Sequence, residues 1–385
     1  MASTARDFCL VTLSIAVMWM WVYLWSSSSL GKKVALRHLP AHVETLRNGS
    51  STTLSNVNPI KASDGPSTGS LTNNSGNNSN AKRSEYRHAV KNTLFYEEKV
   101  LNRSRFNYIY SNSDLCSRNT NGSVFLVVMV PTRPGEIARR EAIRKTWGNI
   151  THVSGKPIVV VFLLANTTDA NTEFHIAKEN KAHRDLCMKD FMDTYNNLTH
   201  KTMMGLDWVN TFCRSTQFAL KIDSDMMPNL ENLVNHLTKL SNTTLFEGHL
   251  MKRTHPVRSR SGYVGKWFVS LDEYPHPTYP PYELGAAYLM SGDLVHQAVS
   301  ISPHVPYFHI EDVYIGMLMK TLGVMATEDH RFTQKFLSLQ SKQSTYYSLC
   351  YFTKVFTLFS FESVDKLYKF WTLWSEFDPR PCLEN

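Results

Sequence analysis

Three apolar runs constrain this chain more than any other feature: VFLVVMV at Val124–Val130, IVVVFLL at Ile158–Leu164 and QFALKI at Gln217–Ile222. Each is short and mostly apolar, which reads as a strand, and Ile158–Leu164 reads as one buried on both faces. Segments with helical character lie between them: Ala138–Trp147 after the first run, then Thr172–Lys189 and Lys201–Phe212 after the second. Strands alternating with helices predict an α/β domain around a mostly parallel sheet, with ligands at the strands' carboxyl ends.

The third run ends abruptly in KIDSDMMPN, Lys221–Asn229. Residues two apart on a strand point to one side, so Asp223 and Asp225 would present two carboxylates together at a strand's carboxyl end. Oxygen ligands of this kind suit magnesium or manganese, and a substrate's phosphates commonly complete the shell. An isolated Asp-x-Asp is more often a plain acidic strand end, so the pair gains meaning only from its surroundings. Downstream, a helix is expected near Leu230–Leu240, and Phe246–Ser291 reads as loops and short strands rich in Tyr, Pro and Gly. EDVYIGMLMKTLG, from Glu311, reads as a helix opened by acidic residues, which its dipole favours. Arg139, Arg140, Arg144 and Lys145 form a basic cluster on the helix after the first strand, and arginine's planar fork suits phosphate.

Upstream of the domain, Phe8–Trp25 carries no charged residue and as a helix would reach roughly 27 Å, enough to cross a bilayer. Trp19, Trp21, Tyr23 and Trp25 crowd its second half as an interfacial belt does. The expected organisation is a tail at 1–7, a membrane anchor at 8–25, a flexible polar stem at 26–91 and a folded domain at 92–385. Lys32, Lys33 and Arg37 follow the span and by charge alone would keep the body in the cytoplasm. Nine Asn-x-Ser/Thr acceptors and five widely spaced cysteines after the span point instead to an oxidising lumen. The cysteine count is odd, so one thiol is free or shared between chains, and the pairing stays open. The formal charge of +8 suggests an anionic partner, and a luminal body removes nucleic acid from the candidates.

The ordered motifs RREAIRKTWGN (Arg139–Asn149), FMDTYNNLTHKTMMGLDWV (Phe191–Val209), KIDSDMMPN, KWFVSLDEYPHPTYPPYELGAAYLMSGDLV (Lys266–Val295) and EDVYIGMLMKTLGV (Glu311–Val324) closely resemble the β1,3-galactosyltransferase family, inverting glycosyltransferases of family 31. The resemblance covers about Cys116–Trp371 and implies a GT-A fold, a Rossmann-like, mostly parallel sheet flanked by helices, in a type II Golgi membrane protein. It implies a manganese ion and a UDP-galactose donor, with an acceptor glycan on glycoprotein or glycolipid. It makes Asp223, Ser224 and Asp225 the metal and donor motif, with Asp225 foremost among the metal ligands, and Asp312 the general base. Arg140, Arg144, Lys201 and Gly285 are carried over as donor contacts. Trp267, Tyr279 and Tyr282 share the segment beside donor and acceptor. Two departures stand out. Glu283 or Leu284 occupies the place of a cysteine that many members carry, which leaves Cys187 as a conceivable substitute, and Phe359 stands where members commonly have a histidine that serves as a second metal ligand. The donor therefore stays open between galactose and the N-acetylhexosamines, and a glycan-binding relative with little catalysis is the rival from another class.

Overall fold

The computed structural model describes residues 100–383 apart from 102–104, 119, 121–122, 241–243, 337 and 360. The expected anchor at 8–25 and stem at 26–91 lie outside the described residues. Among the described residues, no helix is long and apolar enough to cross a membrane. The chain divides into two units, and the fold described below is that of the larger, residues 76–260 and 264–385.

Its first half runs β1 (Tyr108–Tyr110), β2 (Leu126–Pro131), α1 (Ile137–Lys145), β3 (His152–Val153), β4 (Lys156–Asn166), α2 (Ala170–His183), β5 (Leu186–Met192), α3 (Leu198–Phe212), β6 (Phe218–Ile222) and β7 (Met226–Pro228). The second half adds α4 (Leu230–Leu237), β8 (Phe246–Met251), β9 (Tyr282–Ser291), α5 (Gly292–Ile301), α6 (Glu311–Leu322), β10 (Thr327–Glu328), β11 (Phe332–Phe336), α7 (Lys342–Phe352), β12 (Thr357–Phe359), α8 (Val364–Ser375) and α9 (Arg380–Leu383).

The central sheet has the order β1-β5-β4-β2-β6-β9-β8-β10, with β3 added beside β4. Strands β5, β4, β2 and β6 are mutually parallel, and β9 enters antiparallel to both β6 and β8. Alternate residues of each central strand feed different cores, which is why the runs are apolar throughout. Val127, Met129, Val161 and Leu163 pack with residues of α3, α5 and α6, whereas Leu126, Val128, Phe162 and Leu220 pack with residues of α1, α4, α7 and α8. A second, three-stranded sheet of order β11-β12-β7 takes up the chain just past Asp225.

Two elements differ from the sequence expectation. The helix expected over 172–189 stops at His183, where Arg184 turns left-handed at φ 53° and donates its amide to Asn180 O, and LCMKDFM continues as β5. Tyr282–Ser291, expected among loops and short strands, is one strand of 10 residues paired on both sides in the sheet. Cys116–Cys213 and Cys350–Cys382 form disulfides, and Cys187 is the free thiol among the described residues, and is buried. Glu283 is buried and not bridged, and burial together with the Glu328 charge pushes its carboxyl up to about 8.

The β2–α1 loop is held from inside. Arg140 is fully buried and forks Glu179 at 2.8 and 2.7 Å, while it also donates to Arg133 O at 2.7 Å and Pro134 O at 3.0 Å. Arg144 donates to the same Glu179 at 2.7 Å and pairs with Asp185 at 2.8 Å. Burial raises the Glu179 carboxyl, but the two guanidinium groups outweigh it and hold the group below its ordinary value. Removing the anion would leave the buried Arg140 guanidinium without a carboxylate and Arg144 with Asp185, so Glu179→Ala should cost about 3–5 kcal/mol in denaturant unfolding. A loss under about 1 kcal/mol, the range of surface pairs, would show that the network carries no such weight.

Candidate active site

Strand β6 is paired on both sides, to β2 through Met129–Lys221 and to β9 through Lys221–Tyr288 and Ile222–Ala287. Its neighbours therefore fix where it stops. Asp223 N still donates to Ala286 O at 2.9 Å, after which a turn closed by Met226 N to Asp223 O at 3.0 Å starts β7. Asp223, Ser224 and Asp225 occupy that turn and are each half-buried. The far side is pinned by Phe361 N donating to Asp225 O at 3.0 Å. Burial and the neighbouring Asp223 charge push the Asp225 carboxyl up to about 6, against the opposing pull of Arg139 and Lys221.

The N-terminus of α6 meets β9 at the same place. Asp312 accepts from Gly285 N at 3.1 Å and from Val313 N at 2.9 Å, and Glu311 accepts from the Tyr288 hydroxyl at 2.7 Å. Burial and the Glu311 charge push Asp312 up to about 7, a value suited to proton transfer near neutral pH. Gly285 leaves room for these carboxylates: a Cβ there would lie 3.2 Å from Glu311 Oε2 and 3.3 Å from Asp312 Oδ2 and would press on both. Between the carboxylates lies Lys221, whose side chain is 1% exposed; its Nζ is 2.5 Å from Asp223 Oδ1 and 3.9 Å from Glu311 Oε2, and it also donates to Gly285 O. Burial works against the ammonium, but Asp223 and Glu311 outweigh it and hold the lysine charged.

The fold thus brings Asp223, Ser224, Asp225, Gly285 and Asp312 to one cleft. Arg140 and Arg144 are committed to Glu179 and Asp185 instead, and Arg140 braces the loop that follows β2. Lys201 is buried and donates to Thr132 O at 2.8 Å and to Asp193 at 2.9 Å, which ties α3 to the same loop. Tyr279 and Tyr282 are buried in the core beside Phe308, whereas Trp267 donates through Nε1 to Tyr195 Oη at 2.6 Å, with Lys266 Nζ 4.5 Å above its ring. Tyr195 feels the charges of Asp312, Glu311 and Asp223, so this aromatic pair borders the cleft. Sequence reasoning passed over Lys221 and left Arg139 out of the donor contacts. Arg139 donates to Phe361 O and Glu362 O and is the basic residue of α1 whose charge reaches Asp225. Adjacent helix positions point about 100° apart, so only the packing of α1 decides which arginine faces the motif.

A divalent ion fits Asp225 and Asp223, a one- or two-carboxylate site of the kind that leaves room for substrate phosphates. Burial first and the Asp223 charge second raise the affinity of Asp225 for a proton, and a bound cation would offset the second. Phe359 lies opposite Met226 in the β12–β7 pairing, next to Asp225, and its ring offers no ligand atom. Elsewhere, among the described residues, ligand atoms of His236, Glu247 and Asp329 lie within 4.8 Å of one another. Arg331 already supplies positive charge there: it forks Asp329 and donates to His236 Nδ1 at 3.2 Å, which leaves Nε2 to carry the proton toward Glu247.

Asp312 binds its proton more tightly in the folded chain, about 7 against the usual 3.8. Its contribution to stability is therefore present below pH 4 and lost as the pH rises through 7. In chelator, Asp312→Asn should melt higher than the parent at pH 8, and the difference should vanish near pH 4. A difference independent of pH would contradict this environment for Asp312.

Residues 138–330 match the Galactosyltransferase family. Beta-1,3-galactosyltransferase 5 of Gorilla gorilla gorilla is 41% identical over 207 residues, covering 54% of this chain and 68% of that protein. Beta-1,3-galactosyltransferase 1 of Mus musculus is 31% identical over 288 residues, 74% of this chain and 83% of that one. A solved galactosyltransferase, LgtC, in complex with donor and acceptor sugar analogues is 12% identical, covering 66% of this chain and 98% of that one at a TM-score of 0.33, too low to add to the sequence relationship. The family match takes in α1, the Asp-x-Asp turn, Gly285 and Asp312, the elements that build the cleft, and this chain belongs to the galactosyltransferase family.

Proposed function

We propose that this chain is an inverting β1,3-galactosyltransferase with the GT-A fold, passing galactose from UDP-galactose to the 3-hydroxyl of an acceptor glycan on glycoprotein or glycolipid. The observation that carries this reading is Asp312, a half-buried carboxylate raised to about 7 and aimed by two backbone amides beside the Asp-x-Asp turn. In its ionised form it takes the acceptor hydroxyl's proton as that oxygen attacks the anomeric carbon from the side opposite UDP. Asp225, with Asp223, would hold Mn2+, which when bound supplies charge to the diphosphate leaving group. Arg139 adds a fixed positive charge on the same side. The Tyr195–Trp267 pair offers an aromatic wall suited to a sugar face. Inversion needs no covalent intermediate, and the cleft offers one carboxylate in the base's position.

The same reading places the protein in the Golgi membrane as a single-pass type II protein, tail 1–7, anchor 8–25, stem 26–91 and luminal domain 92–385. Support comes from the apolar run at 8–25, from the disulfides Cys116–Cys213 and Cys350–Cys382, and from the exposed acceptor Asn149. Phe359 favours one rival, a glycan-binding relative with little turnover, because it adds no metal ligand beside Asp225.

The test is UDP release and product linkage from the secreted domain with manganese, UDP-galactose and terminal N-acetylglucosamine or N-acetylgalactosamine acceptors. Turnover confined to UDP-galactose with a β1,3 product supports the proposal; turnover with a UDP-N-acetylhexosamine replaces the donor, and saturable glycan binding without turnover supports the rival. Asp312→Asn should lower kcat by about 10²–10⁴-fold. The acid limb of kcat/KM should titrate near pH 7, because the base must be ionised and burial has raised it to about 7. A profile flat from pH 5 to 8 would remove Asp312 from that role.

A further inference from the structure

The cleft contains a buried cation that neither the metal nor the proton transfer requires. Lys221 belongs to β6, where an apolar residue would complete the strand at no cost of desolvation. Its stem passes the Tyr288 ring, with Nζ 6.0 Å from the ring centre, and its ammonium reaches two acceptors on different elements, Asp223 Oδ1 at 2.5 Å and Gly285 O. Gly285 is the residue whose amide holds Asp312 Oδ2 at 3.1 Å. A glycine has wide backbone freedom, and a Cβ here would lie 3.2–3.4 Å from Glu311 Oε2 and Asp312, so a larger residue would push the two carboxylates outward. Gly285 lies where the β8–β9 register shifts, between the pairs at Glu283 and Tyr288, so the Lys221 ammonium adds an anchor to its carbonyl that the β8 ladder does not supply there.

We propose that Lys221 is a positioning residue: by gripping the Gly285 carbonyl it aims the Gly285 amide at the general base, and by pairing with Asp223 it leaves Asp225 as the principal carboxylate for the cation. The proposal rests on the reading of Asp312 as the base. It makes the two aspartates unequal. Asp223 is a bridge between the cation's turn and the lysine, while Asp225, whose backbone oxygen is fixed by Phe361 N, takes neither of the lysine's two hydrogen bonds. One side chain thus sets the spacing between the donor's metal turn and the acceptor's base.

The alternative is that Lys221 only neutralises Glu311 and Asp223. Lys221→Met alone does not separate the two, since it leaves Glu311 buried without a cation. Lys221→Met/Glu311→Gln does: the substituted amide at position 311 carries no charge, and Asp223, 41% exposed, is left to water. Kinetics of this double variant are compared with Glu311→Gln, with melting temperature and UDP–manganese binding recorded for each. A positioning role predicts a double variant that melts within a few degrees of Glu311→Gln, a donor KM changed by less than about threefold, and a kcat lower by on the order of 10²-fold. A kcat equal to that of Glu311→Gln overturns the proposal. A double variant that fails to fold overturns it as well, because the ammonium is then needed for the fold itself. Asp312→Asn in the same series keeps the two readings apart: if it turns over like the parent, the base is elsewhere, whereas an inactive Asp312→Asn beside a fully active double variant sinks only the role of Lys221.

Discussion

Three carboxylates gathered around one buried ammonium are the constraint on which the rest of this structure depends. Asp223 comes from the end of β6, Glu311 and Asp312 from the first turn of α6, and Lys221 from within β6, with Gly285 of β9 completing the contact. Carboxylates this close cannot all ionise without compensation. The compensation is built from backbone: the amides at 285 and 313, the first-turn position on α6 and the single lysine. Each element that meets there is therefore held in register by charge as well as by its apolar face.

A second charge network fixes the loop that leaves β2. Glu179 gathers Arg140 and Arg144, and Arg140 in turn holds the carbonyls of Arg133 and Pro134, so the loop leaving β2 has a fixed path. Lys201 holds the same loop through Thr132 O while pairing with Asp193. Basic residues that a reader of the sequence would assign to phosphate are in this way largely spent on the scaffold. Arg139 is the member of the cluster whose charge is felt at the Asp-x-Asp turn.

How much of this was legible follows from where each signal resides. Strands β2, β4 and β6 are runs buried on both faces, a property that composition alone reveals. The α6 helix is announced by its acidic first turn and closed by Gly323 at φ 72°. Strand β9 was hidden because Glu283 and Gly285 interrupt it, and those two residues answer to their surroundings: Glu283 packs against Gly248, and Gly285 makes room for Asp312. Strand β5 was read into a helix because its polar residues Lys189 and Asp190 resemble a helix end. The aspartates were legible through the family motifs that contain them. Lys221 was not, since a lysine one residue inside an apolar strand declares its partners only once β9 and α6 are in place.

Every role assigned to the cleft turns on the identity of the cation site. Anomalous diffraction from crystals of the folded domain soaked in manganese and UDP locates that ion directly. A peak is expected at the Asp225 carboxylate, bridged to the diphosphate and on the same side of the cleft as Asp312. A peak at His236, Glu247 and Asp329, with the Asp-x-Asp turn empty and UDP bound elsewhere, would contradict that assignment.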